Sequence, residues 1–370
     1  MNKETREIIA IGLMSGTSMD GINVSLVKTN GITLKQSNYS LIERYSDITL
    51  NLLNKITNNL SNSVKDITLL KKASELITID HYNAIKLLLK KTKLKPEIIG
   101  FHGQTIYHNP NEKISIQLGD PKLLSKMLKT NVVGNFRKKD IENGGEGAPI
   151  APIYHKHIIE KLNIDLPCGF INIGGVSNIS YWNGKELIGF DTGPGNALMD
   201  IYMQEQFQTK YDDQGKLAAN GKIIHKTLNQ FLKDNYFCRK YPKSLDKLYF
   251  IKILEILKGN NHKPENIMAT LAAFTINSIM QSISILPTKP KVIYLMGGGI
   301  KNKTIINGIK SKFDNDVIIS NDVGINGEMV EAELIAYLAV RKIYDLPSSF
   351  PGTTGVKEAI CLGDLFTENN

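Results

Sequence analysis

Residues 12–21, with the sequence GLMSGTSMDG, combine glycines and short hydroxyl side chains in a way that suits the binding of a phosphate chain. Gly16 and Gly21 permit positive φ angles and close approach of the backbone to a ligand. Hydroxyl donors stand beside main-chain amides at Ser15, Thr17 and Ser18. Apolar strand-like runs flank the segment, which predicts a hairpin. The alternative, an ordinary tight turn with Asp20 and Gly21 as turn residues, stays open.

A second segment, residues 187–203, delivers one carboxylate into a glycine-rich turn. The strand-like run LIGF is followed by Asp191 and the turn TGPGN, and a helix is predicted to begin at Asn196 as its N-cap. Unpaired amides at a helix start favour a phosphate, and a positioned aspartate can take a proton from a nucleophile. A purely structural role for Asp191, as a turn or cap residue, is the alternative.

Two more glycine-rich turns end strand-like runs. One contains Gly174 and Gly175, and the other contains Gly297, Gly298 and Gly299. The single-loop nucleotide fingerprints are missing, because no Gly-Lys pair is followed by Ser or Thr and no strand is followed by the full dinucleotide-binding pattern. The protein-kinase motifs are missing as well. A nucleotide would therefore be bound by several separate turns.

Short apolar strands alternate with helical stretches along the chain, which predicts an α/β fold. A helix is expected near residues 63–91 and a strand near 113–117, and a second set of glycine-terminated strands begins at residue 131. Ligands of open α/β sheets gather at the carboxyl ends of strands. The expectation is two lobes facing a common cleft, with residues 1–127 and 345–370 in one lobe and 128–344 in the other.

The composition is that of a globular enzyme, with 370 residues, 42% hydrophobic and 22% charged. Three cysteines without Cys-x-x-Cys spacing argue against disulfides or a zinc site and favour the cytoplasm. The net charge of +9 is dispersed, so no nucleic-acid partner is expected. Residues 266–288 carry no charge but contain scattered polar side chains, which favours a buried helix over a membrane span. The apolar run at 8–14 is too short for an export signal.

Nine motifs, spread over essentially the whole chain, resemble those of the 1,6-anhydro-N-acetylmuramic acid kinase family within the actin-like sugar-kinase superfamily. In chain order they are GLMSGTSMDG, FHGQTIYHNP, QLGD, NFRKKDIENGGEGAPI, INIGGVSNIS, GFDTGPGN, LMGGGIKN, EAELIAYLA and TTGVKEAICLG. The resemblance implies a two-lobed fold of the actin-like, ribonuclease H-like class.

The resemblance also implies a reaction in cell-wall recycling that couples two events. The 6-oxygen of the anhydro sugar is bridged to the anomeric carbon, so water opens the bridge while the released oxygen accepts the γ-phosphoryl group of ATP. The products are N-acetylmuramic acid 6-phosphate and ADP. Asp191 matches the catalytic base of the family, and a carboxylate suits the deprotonation of water.

Further roles follow from the motif match. Arg137 is expected to pair with the lactyl carboxylate of the sugar, with Glu331 and His102 also at the substrate. A salt bridge for Arg137, a capping or interlobe role for Glu331 and a structural hydrogen bond for His102 stay open. Magnesium is expected with ATP, with Asp20 as a ligand. The residues expected to bind ATP are Gly16, Thr17, Ser18, Met19, Asp20, Gly21, Ile22, Asn23, Gly174, Gly175, Gly297, Gly298 and Gly299.

Three positions depart from the family pattern. Asn23 and Asn135 stand where aspartate is usual, and SLDKLYF after Lys243 lacks the expected Ser-Thr-Gly-Arg. These changes put efficiency and substrate range in doubt more than the fold. The alternatives are a kinase for another amino sugar or sugar acid and a non-catalytic nucleotide-binding protein. The expected partners are ATP and the anhydro sugar, without nucleic acid or membrane, and a homodimer is left open.

Overall fold

The computed structural model describes residues 5–16, 19, 21–109 and 112–368. Alternating runs of apolar residues form the strands, and the central ones are buried on both faces because they are apolar at nearly every position. The strands are β1 (Ile8–Ser15), β2 (Ile22–Thr29), β3 (Leu34–Glu43), β4 (Ile98–Asn109), β5 (Ile114–Leu118), β6 (Asn131–Gly134), β7 (Cys168–Ile173), β8 (Val176–Trp182), β9 (Leu187–Pro194), β10 (Val292–Met296), β11 (Asp316–Ile319) and β12 (Asp364–Phe366).

Helices fill most connections, and short 3-10 turns lie at Asp213–Gly215, Gly298–Lys301 and Ser320–Val323. The helices are α1 (Asp47–Asn58), α2 (Leu60–Ser63), α3 (Ile67–Lys90), α4 (Pro121–Leu128), α5 (Phe136–Glu142), α6 (Pro152–Lys161), α7 (Ala197–Phe207), α8 (Lys216–Ala219), α9 (His225–Phe231), α10 (Asn235–Cys238), α11 (Ile251–Gly259), α12 (Pro264–Ser284), α13 (Lys303–Lys312), α14 (Val330–Ile343) and α15 (Pro351–Thr354). The expected helix at 63–91 is thus α3, and the expected strand at 113–117 is β5.

The chain divides into two units, with unit 1 formed by Met1–Lys161 and Glu328–Asn370 and unit 2 by Leu162–Gly327. These boundaries differ from the expected 127/128 and 344/345. The difference has two causes: β6 pairs with β4, which keeps α5 and α6 in unit 1, and α14 packs on β1, β2 and β4. Glycine signals in the sequence do not reveal either contact.

Unit 1 is built on a sheet in which β3, β2, β1, β4, β6 and β12 lie side by side, while β5 pairs with β4. The first three strands form antiparallel pairs, and β1, β4 and β6 run parallel to one another. Helix α14 lies directly on this sheet. A Cβ atom at Gly12 would lie 1.8 Å from the carbonyl oxygen of Ala332, and one at Gly100 would lie 2.3 Å from that of Ile335. These paired glycines therefore let the helix backbone touch the sheet.

Unit 2 repeats the strand order of unit 1 around a second sheet, β9, β8, β7, β10 and β11. Its first three strands again form antiparallel pairs and β7, β10 and β11 again run parallel. This is the ribonuclease H-like order, and two such sheets with helices confirm the predicted α/β fold of the actin-like class. Helix α12 is long and apolar enough to span a membrane by composition, but 78% of its most apolar window is buried in the protein. The prediction of a buried helix is confirmed.

Candidate active site

The first predicted turn connects β1 to β2, as the sequence indicates, and Ser15 pairs with Ile22 across the hairpin. Met19 adopts a φ of +57° and donates its backbone N–H to the carbonyl of Gly16 at 3.0 Å. Three of the expected ATP-binding residues, Thr17, Ser18 and Asp20, lie outside the described residues. The expected magnesium ligand Asp20 is therefore among the residues whose placement stays a prediction.

The motif FHGQT supports this turn from the adjacent strand β4. Gln104 donates its side-chain amide to the carbonyl of Gly16 at 3.0 Å and accepts from the Tyr45 hydroxyl at 3.2 Å. The Ser15 hydroxyl donates to the carbonyl of Gly103 at 3.3 Å. Gln104 is 1% exposed, so both of these bonds form in the protein interior. Sequence reasoning missed this residue, whose type alone does not distinguish it from any other strand glutamine.

Both asparagines that replace family aspartates act as hydrogen-bond donors. Asn23 donates its side-chain amide to the carbonyl of Glu328 at 2.5 Å, and Asn135 donates to Oδ2 of Asp364 at 3.0 Å. A carboxylate in either place has no N–H to donate, and beside Asp364 it would oppose a like charge. Asn135 also adopts a φ of +59°, which asparagine tolerates better than most residues. At both positions, therefore, the asparagine side chain has a hydrogen-bond acceptor that an aspartate could not use.

Arg137, in α5, is held on two sides of its guanidinium. Its Nε donates to Nε2 of His102 at 2.9 Å, and Nη1 donates to the carbonyl of Gly147 at 3.0 Å. The other ring nitrogen of His102, Nδ1, lies 2.9 Å from the carbonyl of Gly103 and is its donor, because Nε2 accepts from Arg137. Burial and the Arg137 charge lower the pKa of His102 to about 3, so the ring is neutral. The structural alternative for His102 thus has direct geometric support.

Glu331, in the first turn of α14, is a half-buried carboxylate that makes no hydrogen bond within the described part of the chain. Burial raises the pKa of Glu331, and the positive charge of Arg137 lowers it in part. The N-cap residue of α14 is Met329, and no side chain caps the helix. Unit 1 therefore brings Arg137, His102 and Glu331 into one electrostatic group.

Asp191 in unit 2 is held by hydrogen bonds to the segment 243–245 and to helix α10. Its Oδ2 accepts from the backbone N–H of Leu245 at 2.8 Å, its own N–H donates to the carbonyl of Lys243 at 2.9 Å, and its carbonyl accepts from the Tyr236 hydroxyl at 2.5 Å. The side chain is 7% exposed. Because the bond from Leu245 uses the backbone, the loss of the Ser-Thr-Gly-Arg pattern leaves this contact in place.

A β-bulge lies immediately beyond Asp191. Asn178 pairs with Asp191, whereas the preceding Ser177 pairs with Gly193, so Thr192 is the extra residue. The Thr192 hydroxyl donates to the carbonyl of Ser177 at 3.1 Å, which stabilises the bulge. Bulges beside active sites commonly redirect side chains, and this bulge directly follows the proposed base.

The turns around Gly174–Gly175 and Asp191–Asn196 form one hydrogen-bonded structure. Backbone N–H groups of Gly195 and Asn196 donate to the carbonyls of Gly175 and Gly174 at 2.9 and 2.8 Å. The side chain of Asn196 donates to the carbonyl of Ile173 at 3.1 Å and caps no amide of α7. Asn196 occupies the N-cap position of α7, as predicted, but its side chain makes no capping hydrogen bond and donates to the carbonyl of Ile173 instead. The backbone amides of Gly195 and Asn196, just before α7, are therefore already hydrogen-bonded within the protein.

The third glycine turn packs beside the second. Gly297 has a φ of +83°, and a Cβ there would lie 2.2 Å from Oδ1 of Asn172. A Cβ at Gly299 would lie 2.3 Å from the side chain of Ile173. The parallel pairing of Met296 with Asn172 aligns the carboxyl ends of β7 and β10, so unit 2 brings its three predicted turns together.

Two lysines near these turns escaped sequence reasoning. Lys243 is 1% exposed, donates to the carbonyl of Tyr236 at 3.0 Å and places its ammonium 4.6 Å from the Tyr236 ring centre. Burial lowers the pKa of Lys243 to about 8. The aliphatic stem of Lys247 lies against Gly175, with Cε 3.5 Å from the position of a Cβ there. Because the chain contains many lysines, the sequence alone does not mark these two as site residues.

Two ribonuclease H-like sheets with glycine turns at their strand ends, and a buried carboxylate held by a backbone amide in unit 2, define a protein of the actin-like fold class. The family model described as anhydro-N-acetylmuramic acid kinase matches residues 8–368. The chain belongs to this family and is therefore a phosphotransferase acting on an alcohol group.

Relatives and solved structures align with nearly the whole chain. The anhydro-N-acetylmuramic acid kinase of Rhodopseudomonas palustris is 37% identical over 355 residues, covering 94% of this chain and 96% of the relative. That of Pelagibacter ubique is 37% identical over 383 residues, covering 97% and 98%. The structure of (R)-2-hydroxyglutaryl-CoA dehydratase component A from Acidaminococcus fermentans aligns with a TM-score of 0.45 at 12% identity, covering 90% of this chain and 99% of that one.

Proposed function

We propose that this chain uses ATP and water to convert 1,6-anhydro-N-acetylmuramic acid to N-acetylmuramic acid 6-phosphate and ADP, as a step in cell-wall recycling. The family and the names of the relatives support the reaction. The observation that carries it within the chain is the Asp191 carboxylate, which lies in β9 and is held by the Leu245 amide at 2.8 Å. A fixed, mostly buried carboxylate is suited to orienting water.

In the proposed step, Asp191 accepts a proton from water as the water oxygen bonds to the anomeric carbon. The bond between that carbon and the bridging 6-oxygen breaks, and the 6-oxygen bonds to the γ-phosphorus of ATP. The bond from phosphorus to the β-γ bridging oxygen then breaks and ADP leaves. Positive charge that develops at the anomeric carbon is stabilised by an anionic neighbour, and the Asp191 carboxylate is the proposed anion.

Arg137 is the proposed partner of the lactyl carboxylate of the sugar. Guanidinium and carboxylate groups match as a two-pronged pair, and two sides of this guanidinium are already fixed by His102 and Gly147. Glu331 is proposed to face the same sugar, because its carboxylate has no hydrogen-bond partner among the described residues. His102 then acts on the substrate through Arg137, since both of its ring nitrogens are engaged.

The glycine turns are the proposed ATP-binding residues. In the first hairpin these are Gly16, Thr17, Ser18, Met19, Asp20, Gly21, Ile22 and Asn23. In unit 2 they are Gly174, Gly175, Gly297, Gly298 and Gly299. Missing side chains at glycines allow a nucleotide to lie against the backbone. Lys247 beside Gly175 adds a positive charge at the second turn.

Magnesium is the proposed companion of ATP, and it would neutralise charge on the phosphate oxygens. The described residues contain no group of three or more His, Cys, Asp or Glu side chains that could hold a metal ion. Magnesium in kinases is commonly held by phosphates, waters and one or two carboxylates, so a single protein carboxylate is enough for an ion that binds together with ATP. Asp20 is the proposed protein ligand. The cytoplasm, where ATP is abundant, is the proposed location, without a nucleic-acid or membrane partner.

The proposal is tested by ADP release from purified protein with magnesium and ATP, offering one sugar at a time. The sugars are 1,6-anhydro-N-acetylmuramic acid, N-acetylmuramic acid and N-acetylglucosamine. Turnover confined to the anhydro sugar, with the 6-phosphate as product, is expected. Preference for an open sugar would identify an ordinary sugar kinase instead. ATP binding without turnover on any of the three would identify a nucleotide-binding protein that has lost catalysis.

A further inference from the structure

The motif TTGVKEA near the end of the chain and the loop that follows α5 meet at a buried carboxylate. Asp140 is fully buried, and its Oδ1 accepts hydrogen bonds from the hydroxyls of Ser349 and Thr354 at 2.5 and 2.7 Å. Both hydroxyl residues are at most 1% exposed. A buried carboxylate is stabilised only when donors surround it, so these contacts join two segments that are more than two hundred residues apart in sequence.

The other oxygen of Asp140 fixes the loop itself. Oδ2 accepts from the backbone N–H of Gly147 at 2.7 Å, and the carbonyl of Asp140 accepts from the N–H of Gly145 at 3.0 Å. Gly145 is packed so closely that a Cβ there would lie 2.1 Å from Oδ2. The N–H of Glu146 donates to the carbonyl of Thr354 at 2.8 Å, which adds a second tie to the same distant segment.

Gly147 connects this structure to Arg137. Its N–H is bound by Asp140, and its carbonyl accepts from Nη1 of Arg137 at 3.0 Å. The position of the Gly147 carbonyl therefore depends on Asp140, and the orientation of the Arg137 guanidinium depends on that carbonyl. His102 holds the Nε side of the same guanidinium.

We propose that Asp140, clamped by Ser349 and Thr354, is a positioning residue that orients Arg137 toward the carboxylate of the sugar. This inference rests on the proposed function, because it takes the lactyl carboxylate as the partner of Arg137. Groups that position a substrate contact without touching the substrate change binding more than the chemical step.

The test compares Asp140→Asn and Ser349→Ala with Thr353→Val. Asparagine preserves the shape of the side chain, and Ser349→Ala removes one of the two hydroxyl donors while Thr354 remains, so both variants are designed to fold. Thr353 is buried in α15, the short helix that also contains Thr354, and among the described residues its hydroxyl bonds to the backbone of Phe350 alone. It is therefore the matched control for damage to α15.

Steady-state kinetics give the first readout. In Asp140→Asn and Ser349→Ala, KM for 1,6-anhydro-N-acetylmuramic acid should rise about tenfold, the equivalent of one charge-assisted hydrogen bond, while KM for ATP and kcat change less than about twofold. The value of kcat/KM for 1,6-anhydro-N-acetylglucosamine, which lacks the lactyl carboxylate, should not change. Thr353→Val should leave all of these values at the wild-type level. Equal losses with both sugars, or a fall in kcat alone, would overturn the proposal.

A spectroscopic readout does not depend on turnover. The chain has five arginines, so the Nη–H resonances of ¹⁵N-arginine-labelled protein are few, and Arg137→Lys assigns that of Nη1, the atom that donates to the carbonyl of Gly147. Its exchange with water should be slow in the wild type and in Thr353→Val and faster in the two clamp variants. If the wild-type protein shows no turnover but the exchange rates follow this order, the proposed reaction is rejected while the positioning role of Asp140 is retained. An unchanged Arg137 resonance in both variants would reject the positioning role alone.

Discussion

The backbone N–H of Leu245 donates to Oδ2 of Asp191 at 2.8 Å, and this bond relates the proposed base to the segment in which the expected Ser-Thr-Gly-Arg pattern is missing. A backbone donor does not depend on the side chain, so leucine can occupy the position without loss of the contact. The chemistry expected of Asp191 is thus compatible with the altered sequence around it.

Asp191→Asn should lower kcat by about 100- to 10,000-fold, because an amide cannot accept a proton from water. The bond from Leu245 can be kept by the amide oxygen, so the structure and the affinity for ATP should not change. ADP release under saturating ATP and sugar measures the loss. Asp246→Asn, in the same segment, is the control and should retain activity, and an active Asp191→Asn protein would remove Asp191 from the mechanism.

Tyr236→Phe should lower kcat about tenfold and destabilise the protein by about 1–3 kcal/mol, because the carbonyl of Asp191 loses its hydroxyl donor in a buried place. Tyr249→Phe is the matched control, since the hydroxyl of Tyr249 bonds to Asp234 at the protein surface. Urea unfolding and ADP release measure the two effects. Equal behaviour of the two variants would show that the Tyr236 hydroxyl does not hold Asp191 in place.

His102 should make the protein less stable in acid. Its pKa is lowered to about 3 in the folded protein by burial and the Arg137 charge, and lies near 6.5 in the unfolded chain. Its contribution to stability is complete above about pH 6.5 and is lost as the pH falls from there toward 3. His102→Gln, which cannot titrate, should lose less stability than the wild type between pH 7 and 5.

Urea unfolding at both pH values measures this difference, and subtraction removes the shared effect of the other buried histidines. The His102 ring resonance of the folded wild type should also stay constant between pH 8 and 5. A midpoint near 6.5 would mean that the ring does not accept a hydrogen bond from Arg137.

Gly12→Ala should destabilise the protein severely, by about 3 kcal/mol or more, because the added Cβ would lie 1.8 Å from the carbonyl oxygen of Ala332 and force α14 away from β1. Gly259→Ala is the matched substitution, since nothing lies within 4 Å of its Cβ position at the end of α11. It should be neutral or stabilise by up to about 1 kcal/mol. Thermal unfolding distinguishes the two, and similar melting temperatures would contradict the close contact of helix and sheet.

The sequence predicted the parts of the fold that depend on local signals. The hairpin at Gly16, the glycine turns and the buried helix α12 follow from periodicity and from the backbone freedom of glycine. The unit boundaries, the contact of Gly12 with α14 and the clamp on Asp140 depend on residues that are distant in sequence. No local pattern reports which strand or helix will lie against another.

The candidate site shows the same limit at single residues. Asn23 and Asn135 were expected to be lost carboxylates, yet each is a donor to a partner that is remote in the chain. Lys243 differs from the other lysines through a spatial neighbour, the Tyr236 ring beneath its ammonium group, which the sequence does not reveal. The identity of a residue limits what it can do, whereas its partners decide which of those roles it performs.

The repeated strand order gives the first two glycine turns equivalent places in their sheets. The turn after β1 joins the first and second strands of unit 1, and Gly174–Gly175 joins the first and second strands of unit 2. This correspondence is what duplication of an ancestral half-length domain would leave behind. The two units differ in the functional side chains they carry, because unit 1 has the hydroxyl-rich segment and Arg137 whereas unit 2 has Asp191.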